Sequence, residues 1–317
     1  MCLKVASNQR KLLRLTRPSS YTEFMKIIIW AMTSFISIRA SAYPLTFEAT
    51  PFLGSSLIRP NDTEKHTMIL MLHGSEGGSR RNLSGEANLL ASMGYGVMTY
   101  CYFDCNRGLT GPRQTLQNVE LTQVQSAIGW LRQNTFSNGK VVVYGFSRGA
   151  ELTMIIGSLA FTQENYPSAL IAHSPSDVYN GAYNWDWNEP ACWICKLGEG
   201  QCTENSKQSD YRWNPSCNPE NDINKFDFSK SAWLLSGINI ASGVSIEIEK
   251  YAGPMMITVG TKDKVWPYEQ TQRLEAKLKK FGRTPEVTYF DGADHGFFGV
   301  DEMKRRDLVL DFLKRVP

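Results

Sequence analysis

The chain has 317 residues, a net charge of +3 at pH 7 and a charged fraction of 21%. This length allows one large α/β domain or two smaller ones with a buried core. No long Lys/Arg block stands outside the N-terminal stretch, and no glycine-rich phosphate loop or internal repeat is visible. We therefore expect neither a nucleic-acid partner nor a cofactor.

The first 42 residues have the features of a targeting segment. A charged start at Met25 precedes a short apolar run from Ile27 to Ile38, and residues 40–42 read Ala-Ser-Ala. We expect cleavage after Ala42 and a secreted or periplasmic location, with Met25 as a candidate true start. The run is shorter than the ~20 residues of a bilayer span, so no stable membrane anchor is expected. An uncleaved amphipathic N-terminus is the alternative, and Arg39 favours it.

Six cysteines follow the predicted cleavage site: Cys101, Cys105, Cys192, Cys195, Cys202 and Cys217. An even number in an oxidising compartment favours disulfides, most simply between Cys101 and Cys105 and within the 192–217 cluster. The pattern Cys192-x-x-Cys195 also occurs in redox and zinc sites. No His lies nearby, so a structural role is favoured and no metal is expected.

Strand and helix patterns alternate along residues 43–317. Residues 43–60 are typical of antiparallel entry strands, and apolar runs predict further strands at 67–72, 95–103, 141–144, 169–172, 253–260 and 286–290. Helices are predicted at 83–93, 115–134, 150–160, 268–281 and 301–315. The alternation implies right-handed crossovers and a mainly parallel sheet with helices on both faces.

This alternation stops between about Val178 and Lys250. The stretch holds four of the cysteines and a concentration of aromatic residues, namely Tyr179, Tyr183, Trp185, Trp187, Trp193, Tyr211, Trp213 and Trp233. An insertion between sheet strands at the catalytic edge would act as a cap over the site. Its aromatic side chains could line an apolar substrate pocket or form a small core of their own.

Gly145-Phe146-Ser147-Arg148-Gly149 lies where a predicted strand turns into a predicted helix. This G-x-S-x-G pattern is typical of a nucleophile elbow, a turn so tight that only Gly fits beside the Ser. The following helix begins next to the charge that develops in the reaction. Ser147 is thus the candidate nucleophile and the backbone N–H of Arg148 a candidate oxyanion donor. The Arg148 side chain is not required, and we expect at most a surface salt bridge from it.

A second oxyanion donor is predicted in the loop His73-Gly74-Ser75-Glu76-Gly77-Gly78, which follows a predicted strand. A carbonyl oxygen must approach the backbone closely at such a site, and glycines allow this because they have no Cβ. The backbone N–H of Ser75 is the candidate. An ordinary loop is the alternative.

A serine hydroxyl is a poor nucleophile at neutral pH, so it needs a base and a carboxylate that orients the base. The chain has four His, and His295 follows the last predicted strand in a Gly-flanked turn, with His173 held in reserve. Asp263 follows the strand before the last two helices and gives the chain order Ser, Asp, His of this fold. Asp177 is the second choice, whereas Asp294 is expected to cap a turn.

These residues resemble the α/β-hydrolase fold over nearly all of residues 43–317. The segments GSEGG, ASMGYGVMTYCYF, GFSRGAEL, HSPSDVYNG and GTKDKVWP resemble the catalytic domain of the acyl-CoA thioester hydrolase and bile acid-CoA:amino acid N-acyltransferase family. The Asp-His-Gly-Phe ending looks more like dienelactone hydrolases and prolyl-oligopeptidase-type enzymes. The resemblance implies triad positions for Ser147, Asp263 and His295.

The resemblance implies a serine hydrolase that cleaves small-molecule esters or thioesters through an acyl-enzyme. The acyltransferase members use Cys where this chain has Ser147, so hydrolysis is favoured over conjugation to an amine. Residues 43–60 are also too few for the additional N-terminal β domain of the mammalian members, and an exported enzyme would rarely meet acyl-CoA. A peptidase and a catalytically inactive binding protein with the same fold are the alternatives.

Overall fold

The computed structural model describes residues 43–78, 83–105, 116–159, 162–183, 193–195, 211–213 and 226–317. Side chains are described in these ranges except at 163, 183, 193–195, 211–213 and 226–230. The predicted targeting segment and most of the predicted cap, including Cys192, Cys202 and Cys217 of its cysteine cluster, lie outside them. Those expectations stay predictions.

Eight strands form the central sheet. They are β1 Leu45–Ala49, β2 Ser56–Pro60, β3 His66–Leu72, β4 Gly96–Tyr100, β5 Ser137–Phe146, β6 Ala169–His173, β7 Met255–Gly260 and β8 Glu286–Phe290. Their order is β1-β2-β4-β3-β5-β6-β7-β8. The pairs β1–β2 and β2–β4 are antiparallel and the remaining pairs are parallel. The predicted antiparallel entry and mainly parallel sheet are confirmed.

Alternate residues of the central strands pack against opposite layers of helices. On β3, Leu70 belongs to one buried cluster and Ile69 to another. The Leu70 cluster includes residues of α2 Leu121–Gln133, α3 Arg148–Ser158 and α4 Tyr268–Lys280. The Ile69 cluster includes residues of α1 Ser84–Ser92 and α5 Gly299–Lys314. Strands that are buried on both faces are therefore almost wholly apolar, which is the pattern that made them visible in the sequence.

The helix predicted at 115–134 begins only at Leu121. Val119 and Glu120 instead form a short strand that pairs in parallel with Trp233–Leu234. The Glu120 carboxylate then accepts the backbone N–H of Thr122 at 3.2 Å and caps the helix. The sequence periodicity alone did not distinguish this strand from the first turn of the helix.

Short strands also occur within the predicted insertion. Gly181–Tyr183 pairs with Phe226–Ser231, Trp193–Cys195 with Tyr211–Trp213, and Trp233–Leu235 with Ile238–Asn239. Tyr179 and Trp233 are buried in the α2–α3 layer. Those two aromatic residues thus pack in the core of the domain.

The predicted Cys101–Cys105 disulfide is present just after β4. No helix in the described part of the chain is long and apolar enough to cross a membrane.

Candidate active site

The parallel strands end at one edge of the sheet, and every candidate site residue lies there or in the loop that follows. Ser147 follows β5 with φ of 53°, in the left-handed region that is strained for any residue with a Cβ. A Cβ on Gly145 would collide with the carbonyl oxygen of Gly149, and one on Gly149 would collide with the carbonyl oxygen of His73. The predicted elbow geometry is therefore present, and both flanking glycines are required by close packing.

The HGSEGG loop after β3 lies against the elbow. A Cβ on Gly74 would be only 3.3 Å from the Cβ of Ser147. The loop is fixed by a hydrogen bond from Gly74 N to Glu76 Oε1 (3.0 Å) and by the Tyr102 hydroxyl, which donates to the His73 carbonyl at 2.8 Å. Ser75 is buried in this loop and lines the same cavity as Ser147. Arg148 is the first residue of α3, so its backbone N–H lies at the positive end of the helix.

The expectation of a surface salt bridge from Arg148 is wrong, because this side chain is completely buried. Its guanidinium donates to Glu151 Oε2 at 2.8 Å and to the carbonyl oxygen of Gly181 at 2.7 Å. Glu151 also accepts Asn180 N at 2.9 Å and Trp233 Nε1 at 2.9 Å. A charged residue inside the core requires such partners, and here they come from both ends of the predicted insertion.

Asp263 follows β7 and His295 follows β8, and the two side chains form a hydrogen bond at this edge of the sheet. Asp263 Oδ2 lies 2.8 Å from His295 Nδ1. Asp263 Oδ1 accepts the backbone N–H groups of Val265 at 2.9 Å and Trp266 at 2.8 Å, so both carboxylate oxygens have hydrogen-bond partners. The Asp263 side chain is fully buried, whereas that of His295 is 20% exposed.

The other two acid candidates lie elsewhere in the hydrogen-bond network. Asp177 forms a buried ion pair with Arg273, with Oδ1 at 2.8 Å from Nη2. Asp294 Oδ1 accepts the backbone N–H of His295 at 2.8 Å, in accordance with its expected role in the turn. Of the three candidate acids, Asp263 is the residue paired with the His295 ring.

His173, the reserve base, connects the two halves of the site. Its carbonyl oxygen accepts the backbone N–H of Ser147 at 3.0 Å. Its ring Nε2 donates to the carbonyl oxygen of His295 at 3.1 Å, and its Nδ1 accepts the hydroxyl of Thr258 at 3.0 Å. Burial, followed by the nearby charges of Arg305 and His295, lowers the pKa of His173 to about 3. His173 is thus a neutral residue that links the turn of Ser147 to the loop of His295.

Trp266 is a member of the site that the sequence analysis did not identify. Its indole Nε1 donates a hydrogen bond to Ser147 Oγ at 3.1 Å, and its ring is buried. The segment GTKDKVWP contains both Asp263 and Trp266. No spacing rule, however, predicts that the side chain three residues after the acid contacts the serine. Only the folded loop shows the contact.

Ser147, His173 and His295 line one cavity of about 510 Å³. Part of its wall is charged, since Glu86, Glu302, Arg305 and Arg306 also line it. Arg305 is nearly buried and pairs with Glu86 at 3.1 Å and with Glu302 at 2.7 Å.

The same cavity also has an apolar part. Phe146 and Phe297 supply apolar surface beside the serine. The cavity can therefore bind a small substrate that has both polar and apolar parts.

No group of three or more His, Cys, Asp or Glu side chains in the described ranges is arranged to hold a metal ion.

A serine on a strained strand-to-helix turn and an Asp–His pair on later strands define an α/β-hydrolase. The chain belongs to the prolyl oligopeptidase family, whose family model, Peptidase_S9, matches residues 110–316. No curated protein matches the chain significantly. The resemblance to dienelactone hydrolases and prolyl-oligopeptidase-type enzymes is confirmed at the level of the superfamily.

Solved structures share this fold. A butyrate-bound esterase, Est2 of Thermogutta terrifontis, has 17% identity and a TM-score of 0.53, with 88% of this chain and 95% of that chain covered. A putative dienelactone hydrolase from Klebsiella pneumoniae has 13% identity and a TM-score of 0.55, with 86% and 98% covered. Est2 phosphoramylated by tabun has 16% identity and a TM-score of 0.53, with 89% and 97% covered. At these identities the likeness concerns the fold.

Proposed function

We propose that the protein is a serine hydrolase that cleaves carboxylic esters or thioesters through an acyl-enzyme. Ser147 is the nucleophile, His295 the general base and Asp263 the carboxylate that orients it. The observation that carries the proposal is the 2.8 Å Asp263–His295 pair at the same cavity as a serine with φ of 53°.

In the first half-reaction His295 takes the proton of Ser147 as Oγ bonds to the acyl carbon. The tetrahedral intermediate then loses its alcohol or thiol, which receives that proton from His295. In the second half-reaction His295 takes a proton from water, whose oxygen adds to the acyl carbon. The C–Oγ bond breaks, Oγ regains the proton, and a carboxylic acid leaves.

The negative oxygen of each tetrahedral intermediate is bound by the backbone N–H groups of Arg148 and Ser75. The position of Arg148 at the start of α3 and the close approach of the HGSEGG loop to Ser147 support this assignment. One such donor typically contributes about 3 kcal/mol to transition-state binding.

Substrate class is proposed from the cavity and from the sequence resemblance. A cavity of about 510 Å³ with a charged wall and two phenylalanines accommodates a short acyl group with a polar leaving group. The resemblance to thioester hydrolases adds thioesters to the candidates. Est2, which shares the fold, is an esterase with butyrate bound.

A fluorophosphonate probe tests the nucleophile. We expect covalent labelling of wild type at Ser147 and none in Ser147→Ala, measured by mass spectrometry of the labelled peptide. Ser84→Ala is the control, because this serine begins α1 and lies outside the proposed machinery. Equal labelling of wild type and Ser147→Ala contradicts the proposal.

The second candidate is a peptidase, which the family assignment favours. A peptidase needs a cleft that binds an extended chain, whereas an esterase needs room only for a small acyl group. Initial rates on p-nitrophenyl esters, acyl thioesters and peptide anilides separate the candidates. We expect the esters and thioesters to be cleaved faster, and a preference for the anilides would favour the peptidase.

We also propose export, with cleavage after Ala42, because the N-terminal sequence has the features of a signal segment. N-terminal sequencing of the protein from the culture medium or periplasm should give a mature chain that begins at Tyr43. A mature chain that begins before Met25 contradicts this.

A further inference from the structure

Trp266 contacts the reacting oxygen of the proposed mechanism. Its Nε1 is 3.1 Å from Ser147 Oγ. An indole N–H can only donate, so Ser147 Oγ is the acceptor. The hydroxyl proton of Ser147 is consequently left for transfer to the base. Trp266 therefore acts on Oγ itself, which distinguishes it from the backbone donors that bind the substrate oxygen.

The position of this indole is fixed by the acid of the triad. Trp266 N donates to Asp263 Oδ1 at 2.8 Å, and Val265 N donates to the same oxygen at 2.9 Å. Pro267 follows directly and α4 begins at Tyr268. Trp266 as a whole is 6% exposed. The Nε1–H group is thus held in place before the reaction, which is what electrostatic stabilisation of a transition state requires.

Oγ gains partial negative charge in two transition states of each catalytic cycle. In acylation it gives up its proton to His295 while it bonds to the acyl carbon. In deacylation it is the leaving group: the C–Oγ bond breaks, the electron pair stays on Oγ, and the proton returns from His295. A hydrogen bond to a charged oxygen is roughly twice as strong as one to a neutral oxygen. A donor at Oγ therefore stabilises both transition states more than the ground states.

We propose that Trp266 is a further catalytic residue, whose indole N–H stabilises the charge on Ser147 Oγ when the acyl bond forms and again when it breaks. This inference rests on the proposed function, because it takes Ser147 as the nucleophile. Stopped-flow hydrolysis of p-nitrophenyl butyrate separates the two steps, since the burst reports acylation and the steady state reports deacylation.

We expect Trp266→Phe to lower the burst and steady-state rates by between about tenfold and a hundredfold, the usual effect of losing one hydrogen bond to a charged group. KM should stay within about twofold, since the lost contact stabilises transition states. Trp130→Phe is the matched control: Trp130 is half-buried on α2, packs against Phe52 and should leave both rates unchanged.

A second variant separates the N–H from the shape of the ring. Benzothienylalanine at position 266 replaces the N–H by sulfur and keeps the bicyclic shape, and its thermal unfolding should match wild type. We expect the same loss in both rates as in Trp266→Phe. If either rate of this variant stays within twofold of wild type, the inference is overturned. The proposed function is judged separately, from wild type against Ser147→Ala.

Discussion

The elbow, residues 145–149, and the histidine loop, residues 291–297, lie at the same edge of the sheet but are held in different ways. In the elbow, Arg148 and Gly149 are buried, and the turn is possible because Gly145 and Gly149 have no Cβ. In the histidine loop, Asp294 is exposed, and His295 donates from Nδ1 to Asp263 and accepts at its carbonyl oxygen from His173. Changes in the elbow should therefore affect folding, whereas changes around the loop should affect the rate.

Asp263→Asn should have the largest effect. Asn can keep Oδ1 with its two backbone donors, but it presents an NH₂ group to His295 Nδ1. The Asn amide favours the His295 tautomer that is protonated at Nε2. In the proposed mechanism this nitrogen must accept the proton of Ser147. We expect kcat to fall about 10⁴-fold with little change in the melting temperature.

The control for this change is Asp294→Asn. The Asp294 carboxylate accepts the backbone N–H of His295 and does not pair with its ring. Its kcat should stay within a few-fold of wild type. Comparable losses in the two variants would show that His295 is not oriented by Asp263.

Gly145→Ala should destabilise the fold through the elbow. Its new Cβ would collide with the carbonyl oxygen of Gly149, so backbone must move. We expect a loss of about 3 kcal/mol in the free energy of unfolding, measured by urea denaturation. The control is Gly85→Ala in α1, where no atom lies within 4 Å of the added methyl group. An unchanged midpoint for Gly145→Ala would contradict the steric account.

His173→Phe tests the connection between the regions. The ring is replaced by one of similar size that cannot donate to the His295 carbonyl, so the loop loses its bond to β6. Misplacement of a catalytic group by about 1 Å costs up to about 100-fold. We expect kcat to fall between about tenfold and a hundredfold with KM nearly unchanged.

His173→Gln can restore a donor at the former Nε2 position and should recover most of kcat. If the two variants have equal kcat, the hydrogen bond to His295 does not position the loop.

A last prediction concerns the pH dependence of stability. The folded pKa of His173 is about 3 and the usual value is 6.5, so between these values the unfolded chain binds the extra proton. Stability contributed by the neutral ring is complete above pH 6.5 and is lost as the pH falls toward 3. The slope approaches about 1.4 kcal/mol per pH unit.

Wild type should therefore lose stability between pH 6 and 4 more steeply than His173→Phe, in urea denaturation at each pH. Parallel curves for the two proteins would contradict a neutral buried His173.

Much of this site could be predicted from the sequence, because glycines and strand ends leave local signals. Ser147 is recognised by the glycines that flank it, and Asp263 and His295 lie a few residues after apolar runs. Trp266 and the burial of Arg148 could not be predicted in this way. Each depends on partners far along the chain, such as the indole of Trp233 on Glu151, and no local period encodes such pairs.

The same limit explains the missed strand at Val119–Glu120. Its partner, Trp233–Leu234, lies more than a hundred residues later, and two residues are too few to show a strand period.

The Glu151 carboxylate has a further consequence for how this protein can vary. It accepts hydrogen bonds from Asn180 and Trp233, which both lie in the stretch predicted as an insertion, so two points of that stretch are anchored to the helix that follows Ser147. In general, the entropic cost of closing a loop between two fixed points rises slowly with its length, by about 0.6 kcal/mol for each doubling. The chain between these two anchors can therefore change in length and sequence without loss of the hydrogen bonds that Arg148, Asn180 and Trp233 make with Glu151.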